Sequence, residues 1–246
     1  MVDIDSELSD LVDLRTIAFL KWHREDQLPK YLDWLSQIKL ELLNNKVSDI
    51  KKDRVIYFIN HSSQFWTDIS NKSSLEMARL LPLLNEEQID ELFENLSDNN
   101  KEFISKNISL SKKNKEQIYE ERLLENIEEW TGYLTDDQLK SLKELSLGFQ
   151  SLSHLRLKAR LEWQRETREI LTSENKLNRP RKLKSLFDRL TEKHKKLYEK
   201  INTANKEHLA NIITGLFKTL KTDQHQNILS KLDYYIKTIE DLKNQI

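Results

Sequence analysis

The residues that could serve in catalysis or metal binding do not occur at the spacings typical of catalytic or metal sites. There is no cysteine, which excludes thiol chemistry and cysteine-type zinc sites. No two of the six histidines are three or four residues apart, and H-E-x-x-H is absent, so no helical metal site is predicted. Three glycines in 246 residues leave no glycine-rich phosphate loop. We therefore expect no metal and no cofactor, and we do not expect an enzyme.

The densest group of polar and aromatic side chains is Trp22-His23-Arg24, followed closely by Pro29 and Tyr31. On one helix, Trp22 continues an apolar stripe, whereas Arg24 lies on another face, where it can pair with an acid from a neighbouring helix. Two interpretations stay open for this cluster. It is either a packing junction with a bend shaped by the proline, or a site for a ligand or partner.

Charge is balanced over the whole chain but unevenly distributed along it. Forty basic and 41 acidic residues give a net charge of −1, so no overall field attracts nucleic acid or anionic lipid. Residues 84–100 carry six acids and no base, and residues 176–196 carry nine bases against two acids. That basic helix face is either solvated or paired within the chain, or it binds anionic lipid or nucleic acid. The candidate anion-binding residues are Arg179, Arg181, Lys182 and Lys184.

The elements that must position these residues are helices, because apolar residues recur every three to four positions along nearly every segment. The one strand candidate, residues 55–59, continues a helical stripe and is assigned to a helix. We predict one all-α domain over residues 1–246, an elongated antiparallel bundle of long helices. With proline and glycine as breaks, and a further break near 221, the pattern predicts helices at about 5–27, 28–45, 48–81, 85–131, 135–147, 149–172 and 181–245.

A short helix-start unit recurs along the chain and ends at Gln88, Gln138 and Gln224. Each copy has an apolar residue, polar or acidic residues suited to a helix N-terminus, and a glutamine that can reach back to the cap. A weaker copy begins at Ile4. Sub-repeats are therefore predicted to begin near 4, 84, 134 and 220, and they mark either recurrent helix caps or repeated helical hairpins.

Two of these motifs resemble known families. Residues 134–138, Leu-Thr-Asp-Asp-Gln, match the LTxxQ motif of the Spy/CpxP class of all-helical periplasmic chaperones. Residues 22–31 resemble the W-H-R-x-x-x-L-P-x-Y signature of a family of uncharacterised gammaproteobacterial lipoproteins, a domain of unknown function. The similarity continues through residues 84–88, 99–103, 129–138 and 163–165. Leu8, Asn85 and Lys221 depart from the pattern, which has Gln, Thr and Thr there.

The resemblance implies Spy-like helical hairpins, and a signal and a lipidated cysteine that precede this sequence. It also implies a location at the periplasmic face of a membrane, the outer membrane, but no known activity. We therefore expect a non-enzymatic periplasmic lipoprotein that binds proteins or peptides, in a chaperone-like way, along apolar strips with charged rims. One alternative is an envelope protein that binds a specific partner or anionic lipid through charged helix faces. Another, less favoured, is a cytosolic helical protein that binds nucleic acid; homo-oligomers are compatible with all three.

Overall fold

The computed structural model describes residues 3–244, which form α-helices joined by short turns and contain no strand. The all-α prediction is confirmed, and residues 55–59 lie inside a helix. The nine α-helices of the described residues are α1 (Ser6–Trp22), α2 (Leu28–Asn44), α3 (Lys52–Leu80), α4 (Glu86–Asn107), α5 (Lys112–Thr131), α6 (Asp136–Ser146), α7 (Ser153–Leu171), α8 (Arg179–Thr219) and α9 (Thr222–Asn244).

The single helix predicted over residues 85–131 is wrong, because the chain breaks between α4 and α5. The backbone N–H groups of Ile108 and Ser109 both donate to the carbonyl of Ile104, which ends α4. Ser111 then begins α5 as an N-cap, accepting a hydrogen bond from the N–H of Asn114. The signal in the sequence was a serine that can cap the following helix, in a segment without proline or glycine.

Two compact units can be distinguished along the chain. Unit 1 comprises residues 3–19, 67–110 and 151–202, and unit 2 comprises residues 20–66, 111–150 and 203–244. Helices α1, α3 and α8 each contribute residues to both units. The assignment of residues 1–246 to a single domain stays a prediction.

Unit 1 is held by a core that α4, α7 and the first part of α8 share. The α8 stripe Leu183, Leu186, Phe187 and Leu190 is buried throughout, as its 3-1-3 spacing predicts. Leu171 of α7 is fully buried against the same cluster. Burying each such side chain contributes about 1.5–3 kcal/mol, so this stripe is a main source of the stability of unit 1.

Unit 2 contains two apolar clusters. The first joins α2, α3, α8 and α9 around Leu35, Leu42, Val55 and Leu232. The second joins α5, α6 and α8 around Leu142 and Ile212, together with Leu134, which precedes α6. The C-terminal part of α8 therefore packs on both clusters and positions the helix starts described next.

Candidate functional site

Gln138 and Gln224, both singled out by the repeat, lie side by side in the interior of unit 2. They are 3% and 0% exposed. Nε2 of Gln138 donates to Oε1 of Gln224 at 3.0 Å, and Nε2 of Gln224 donates to Oε1 of Gln138 at 2.9 Å. The two side-chain amides therefore pair reciprocally, one from the first turn of α6 and one from the first turn of α9.

The other hydrogen bonds of the two amides connect each helix to its own cap residue and to a residue that precedes the partner helix. Oε1 of Gln138 accepts from the N–H of Thr135 at 3.0 Å, which completes a capping box, and Nε2 donates to the carbonyl of Thr219 at 3.1 Å. Oε1 of Gln224 accepts from the N–H of Lys221 at 3.0 Å, and Nε2 donates to the carbonyl of Tyr133 at 2.6 Å. Each amide thus uses two N–H donors and two acceptor positions, which is its full capacity.

Unit 1 contains half of the same arrangement. Gln88 completes a capping box with Asn85, and its Nε2 donates to the carbonyl of Asp3 at 3.1 Å. Asp3 lies two residues before Asp5, whose carboxylate accepts from the N–H of Leu8 at 2.9 Å. Tyr133 likewise lies two residues before the cap Thr135, so Gln88 corresponds to Gln224.

It follows that Leu8 stands where Gln138 stands in unit 2. Its side chain is 8% exposed, so an apolar residue fills the place of the second amide. The four helix starts therefore associate in two pairs: those near residues 4 and 84 meet in unit 1, and those near 134 and 220 meet in unit 2. The sequence alone did not indicate this pairing, because the paired starts are 80 or more residues apart.

Two residues of the Trp-His-Arg cluster, His23 and Arg24, lie in a single wide turn between α1 and α2. Residues His23–Gln27 are a π-helix that continues into α2, and π-turns of this kind are frequent at functional sites. Nε2 of His23 lies 3.3 Å from the hydroxyl of Tyr31, and burial lowers the pKa of His23 below its usual range. Gln27 is 1% exposed, and its Oε1 has no hydrogen-bond partner among the described residues.

Around this turn the aromatic side chains form a packed row in unit 2. The ring of Tyr31 lies 4.7 Å from that of Phe65, and Trp34 contacts Phe65 edge-on at 5.9 Å. Nε1 of Trp34 donates to the carbonyl of Phe58 at 3.0 Å, so the row fixes α2 against α3. Trp22, Arg24 and Pro29 are half-buried. These contacts form a packing junction between α2 and α3, and the choice between the two interpretations of the cluster stays a prediction.

The basic stretch is neutralised in part within unit 1, where four of its nine bases contact acids. Arg179 is 6% exposed, and its Nη2 donates to the carbonyl of Ser173 at 2.7 Å, so it lies inside rather than on the surface. Arg181 and Lys182 are exposed and make no ion pair within residues 3–244. Four other bases contact acids, namely Lys184 with Asp188, Arg189 with Glu166, Lys193 with Glu162 and Lys196 with Glu192.

An apolar cleft of about 320 Å³ lies among α5, α8 and α9 in unit 2. Of its lining residues, only Asn126 and Thr131 are polar. The apolar wall is formed by Leu123, Ile127, Trp130, Leu209, Ile213, Leu216, Phe217 and Ile228. Sequence reasoning missed this cleft, because its wall comes from three helices whose stripes each read as ordinary core.

One edge of this cleft carries a small charged network. The ring of Trp130 lies 5.6 Å from that of Tyr235, whose hydroxyl donates to Glu129 at 3.1 Å. Lys231 also contacts Glu129, at 2.9 Å, and this ammonium holds the pKa of the Glu129 carboxyl below its usual range. An ion pair of the exposed Glu129 and the half-buried Lys231 therefore lies beside Trp130, which lines the cleft.

The described residues give no indication of metal chemistry or of a membrane-spanning segment. Within residues 3–244, no three His, Asp or Glu side chains converge in a way that could hold a metal ion. In the same residues, no helix combines the length and apolar character needed to cross a bilayer. The arrangement offers apolar surface, buried amides and surface ion pairs, which are groups for noncovalent binding.

A model of the family of unknown function DUF6279 matches residues 1–200. The chain belongs to this family. The match supports the resemblance to an uncharacterised family, and the matched part of this DUF6279 chain includes the π-turn, both capping boxes and the basic stretch. No curated protein and no solved structure matches the chain.

Proposed function

We propose that this protein binds exposed segments of unfolded or flexible polypeptide without covalent chemistry, in a chaperone-like way. The observation that carries the proposal is the apolar cleft among α5, α8 and α9. Its volume is at the lower end of the ~300–1,000 Å³ typical of ligand sites. A cleft of this size suits one or two apolar side chains of a client rather than a folded partner.

The chemistry of the cleft suits weak and reversible binding. Burying one Leu or Phe side chain contributes roughly 1.5–3 kcal/mol. Because the wall has few polar groups, it favours apolar side chains over particular hydrogen-bonding patterns. The Glu129–Lys231 pair beside Trp130 gives the site a charged border, over which burial of further apolar side chains of a client is unfavourable. A protein with such a site would hold many sequences loosely and release them without ATP.

The test is suppression of aggregation of chemically reduced α-lactalbumin, without ATP, at one to several equivalents of the full chain. Asn126→Arg places a long cation at the cleft edge, on an exposed helix position. The matched control is Asn71→Arg, an exposed helix position that does not line the cleft. We expect suppression by the wild type and by the control, and little by Asn126→Arg.

Salt separates this proposal from its alternative. Suppression that persists at high salt supports recognition by apolar surface, since exposed charge interactions are screened there. Loss of suppression at high salt would instead favour the envelope-interaction alternative, in which charged helix faces bind a specific partner or anionic lipid. That alternative has Arg181 and Lys182 as its unpaired exposed bases in the predicted patch. No suppression at several-fold excess would refute the chaperone-like function.

We further propose, from the family resemblance, that the natural protein is a periplasmic lipoprotein. Apolar binding surface and a lipid anchor are compatible, because the anchor adds membrane attachment without changing the helices. Metabolic labelling of the natural protein with radioactive palmitate, followed by membrane fractionation, tests the proposal. A labelled protein in the membrane fraction supports it, and an unlabelled protein in the soluble fraction contradicts it.

A further inference from the structure

A second cavity, of about 640 Å³, lies between α4 and α7 within unit 1, and its lining differs from that of the apolar cleft. Three side-chain amides line it, from Asn99, Asn107 and Gln164. Leu96, Phe103 and Trp163 supply apolar surface, and Glu102, Lys106 and Arg160 supply charge. The cavity is also where residues 99–103 and 163–165, two elements picked out in the sequence, come together.

The amides are arranged along one wall and on the floor. Asn99, Phe103 and Asn107 follow each other at four-residue spacing on α4, so the two asparagines lie about 12 Å apart on either side of an aromatic ring. Asn99 makes no side-chain hydrogen bond to the described residues, and Asn107 uses only its Nδ2, on the carbonyl of Phe103. On the floor, buried Gln164 pairs with Asn100 at 2.7 Å, which fixes its orientation.

Of the three charged side chains of the lining, Glu102 and Lys106 compensate each other, and Arg160 makes no ion pair with the described residues. Lys106 contacts Glu102, and this hydrogen bond holds the pKa of the Glu102 carboxyl below its usual range. The guanidinium of Arg160 lies 4.8 Å over the ring of Phe103. The remaining polar groups of the lining are the three uncharged amides. A ligand rich in neutral hydrogen-bonding groups matches these amides.

We infer that this cavity binds a neutral oligosaccharide. Each sugar hydroxyl both donates and accepts, and each amide of the wall offers a donor and an acceptor side by side. The C–H faces of pyranose rings are apolar and pack on aromatic surface, here offered by Phe103 and Trp163. A bulky apolar peptide side chain would leave the amides unpaired, at a cost that the cleft of unit 2 avoids. The inference concerns unit 1 alone and does not rest on the proposed polypeptide binding.

The test is titration of the full chain with two soluble probes, chitotetraose and maltotetraose, by isothermal calorimetry and by amide chemical shifts. We expect saturable binding of at least one probe, with shifts concentrated in residues 96–107 and 160–164. Loss of one hydrogen-bonding amide should weaken binding about fivefold to tenfold. We therefore expect that weakening for Asn99→Ala and for Asn107→Ala, and none for the matched control Asn71→Ala.

Three results would overturn the inference. The first is no saturable binding of either sugar to wild-type protein whose spectrum is that of the folded chain. The second is saturable binding that the Asn99→Ala/Asn107→Ala double variant leaves unchanged, since the walls named above would then not form the site. The third is that a polar, uncharged peptide, and neither sugar, shifts residues 96–107. Because Asn99 is exposed and Asn107 is half-buried, we expect both single variants to keep the fold.

Discussion

Replacing one member of the buried amide pair tests whether Gln138 and Gln224 act as a unit. Gln138→Ala removes both hydrogen bonds of the pair, the capping bond from Thr135 and the bond to the carbonyl of Thr219. Thr135 and Thr219 lie near the surface, where water can take over their hydrogen bonds. Gln224 is 0% exposed, so one of its N–H groups and one of its acceptor positions lose their partners away from water.

The expected cost follows from these orphaned groups. A buried polar group without a partner costs about 1–3 kcal/mol, and loss of a capping bond adds about 1 kcal/mol or less. We therefore expect Gln138→Ala to lower the free energy of unfolding by about 3 kcal/mol, and Gln224→Ala by a similar amount. The double variant removes the orphaned groups along with their partners. It should cost about 4 kcal/mol rather than the sum of about 6, a coupling of about 2 kcal/mol.

Urea unfolding monitored by tryptophan fluorescence measures these free energies and reports mainly on unit 2. Four of the five tryptophans, all but Trp163, lie in unit 2 together with the amide pair. The control is Gln226→Ala, an exposed glutamine on the same helix, for which we expect a change of less than about 0.5 kcal/mol. Gln138→Leu reproduces the Leu8 arrangement of unit 1 and should cost less than Gln138→Ala, because leucine fills the space.

A double-mutant cycle that sums to within about 0.5 kcal/mol would refute the reasoning. The two glutamines would then be independent helix caps that happen to be neighbours, and each capping bond alone would explain its own effect. A coupling of about 2 kcal/mol, together with a silent Gln226→Ala, establishes the pair as one structural element of unit 2.

Three further predictions concern single positions. In thermal unfolding, Leu8→Gln should keep the free energy of unfolding within about 1 kcal/mol of the wild type, whereas Leu8→Ala should lower it by about 2–4 kcal/mol. Equal losses would refute the correspondence of Leu8 with Gln138. Gly132→Ala should lower the free energy of unfolding, because Gly132 has a φ of 87° and a Cβ there would lie 2.5 Å from Nδ2 of Asn227. Gly215→Ala, in open space within α8, should raise the free energy of unfolding by about 0.5–1 kcal/mol. A Gly132→Ala variant as stable as the wild type would contradict the geometry. Burial lowers the pKa of His23 in the folded state, so the unfolded state binds more protons, and His23 reduces stability as the pH falls through about 6.5. His23→Gln should therefore flatten the decrease of the urea midpoint between pH 7 and pH 5. An unchanged slope would contradict this prediction.

Most helices and the helix starts marked by the repeat could be predicted from the sequence, whereas the break between α4 and α5 and the spatial partners of those starts could not. Periodicity identified stripes such as Leu183 to Leu190, because a buried helix face repeats every 3.6 residues regardless of what covers it. The Gln138–Gln224 pair depends on two helix N-termini meeting in space, and a local pattern carries no information on that. In the third repeat Lys221 directly precedes α9, three residues before Gln224, and its N–H donates to Oε1 of Gln224, so the reach-back bond forms there although lysine is not a usual N-cap residue.

The burial and pairing of charged side chains was harder still to predict, because the groups that contact each side chain are distant in sequence. Arg179 belongs to the predicted anion-binding patch, yet its guanidinium lies inside on the carbonyl of Ser173. Arg189 and Lys193, in the same basic run, are paired with acids of α7, more than twenty residues earlier. The apolar cleft likewise requires three helices to leave a gap, a property of their packing rather than of any one stripe.

Site-specific photocrosslinking tests polypeptide binding at the apolar cleft most directly. A benzophenone amino acid is placed at position 126, at the edge of the cleft, or at position 71 as the matched exposed control, and each chain is irradiated with reduced α-lactalbumin. The account predicts abundant crosslinks from position 126, maintained at high salt, and few from position 71. Equal yields from the two positions, or none from position 126 while the client is being held, would contradict it.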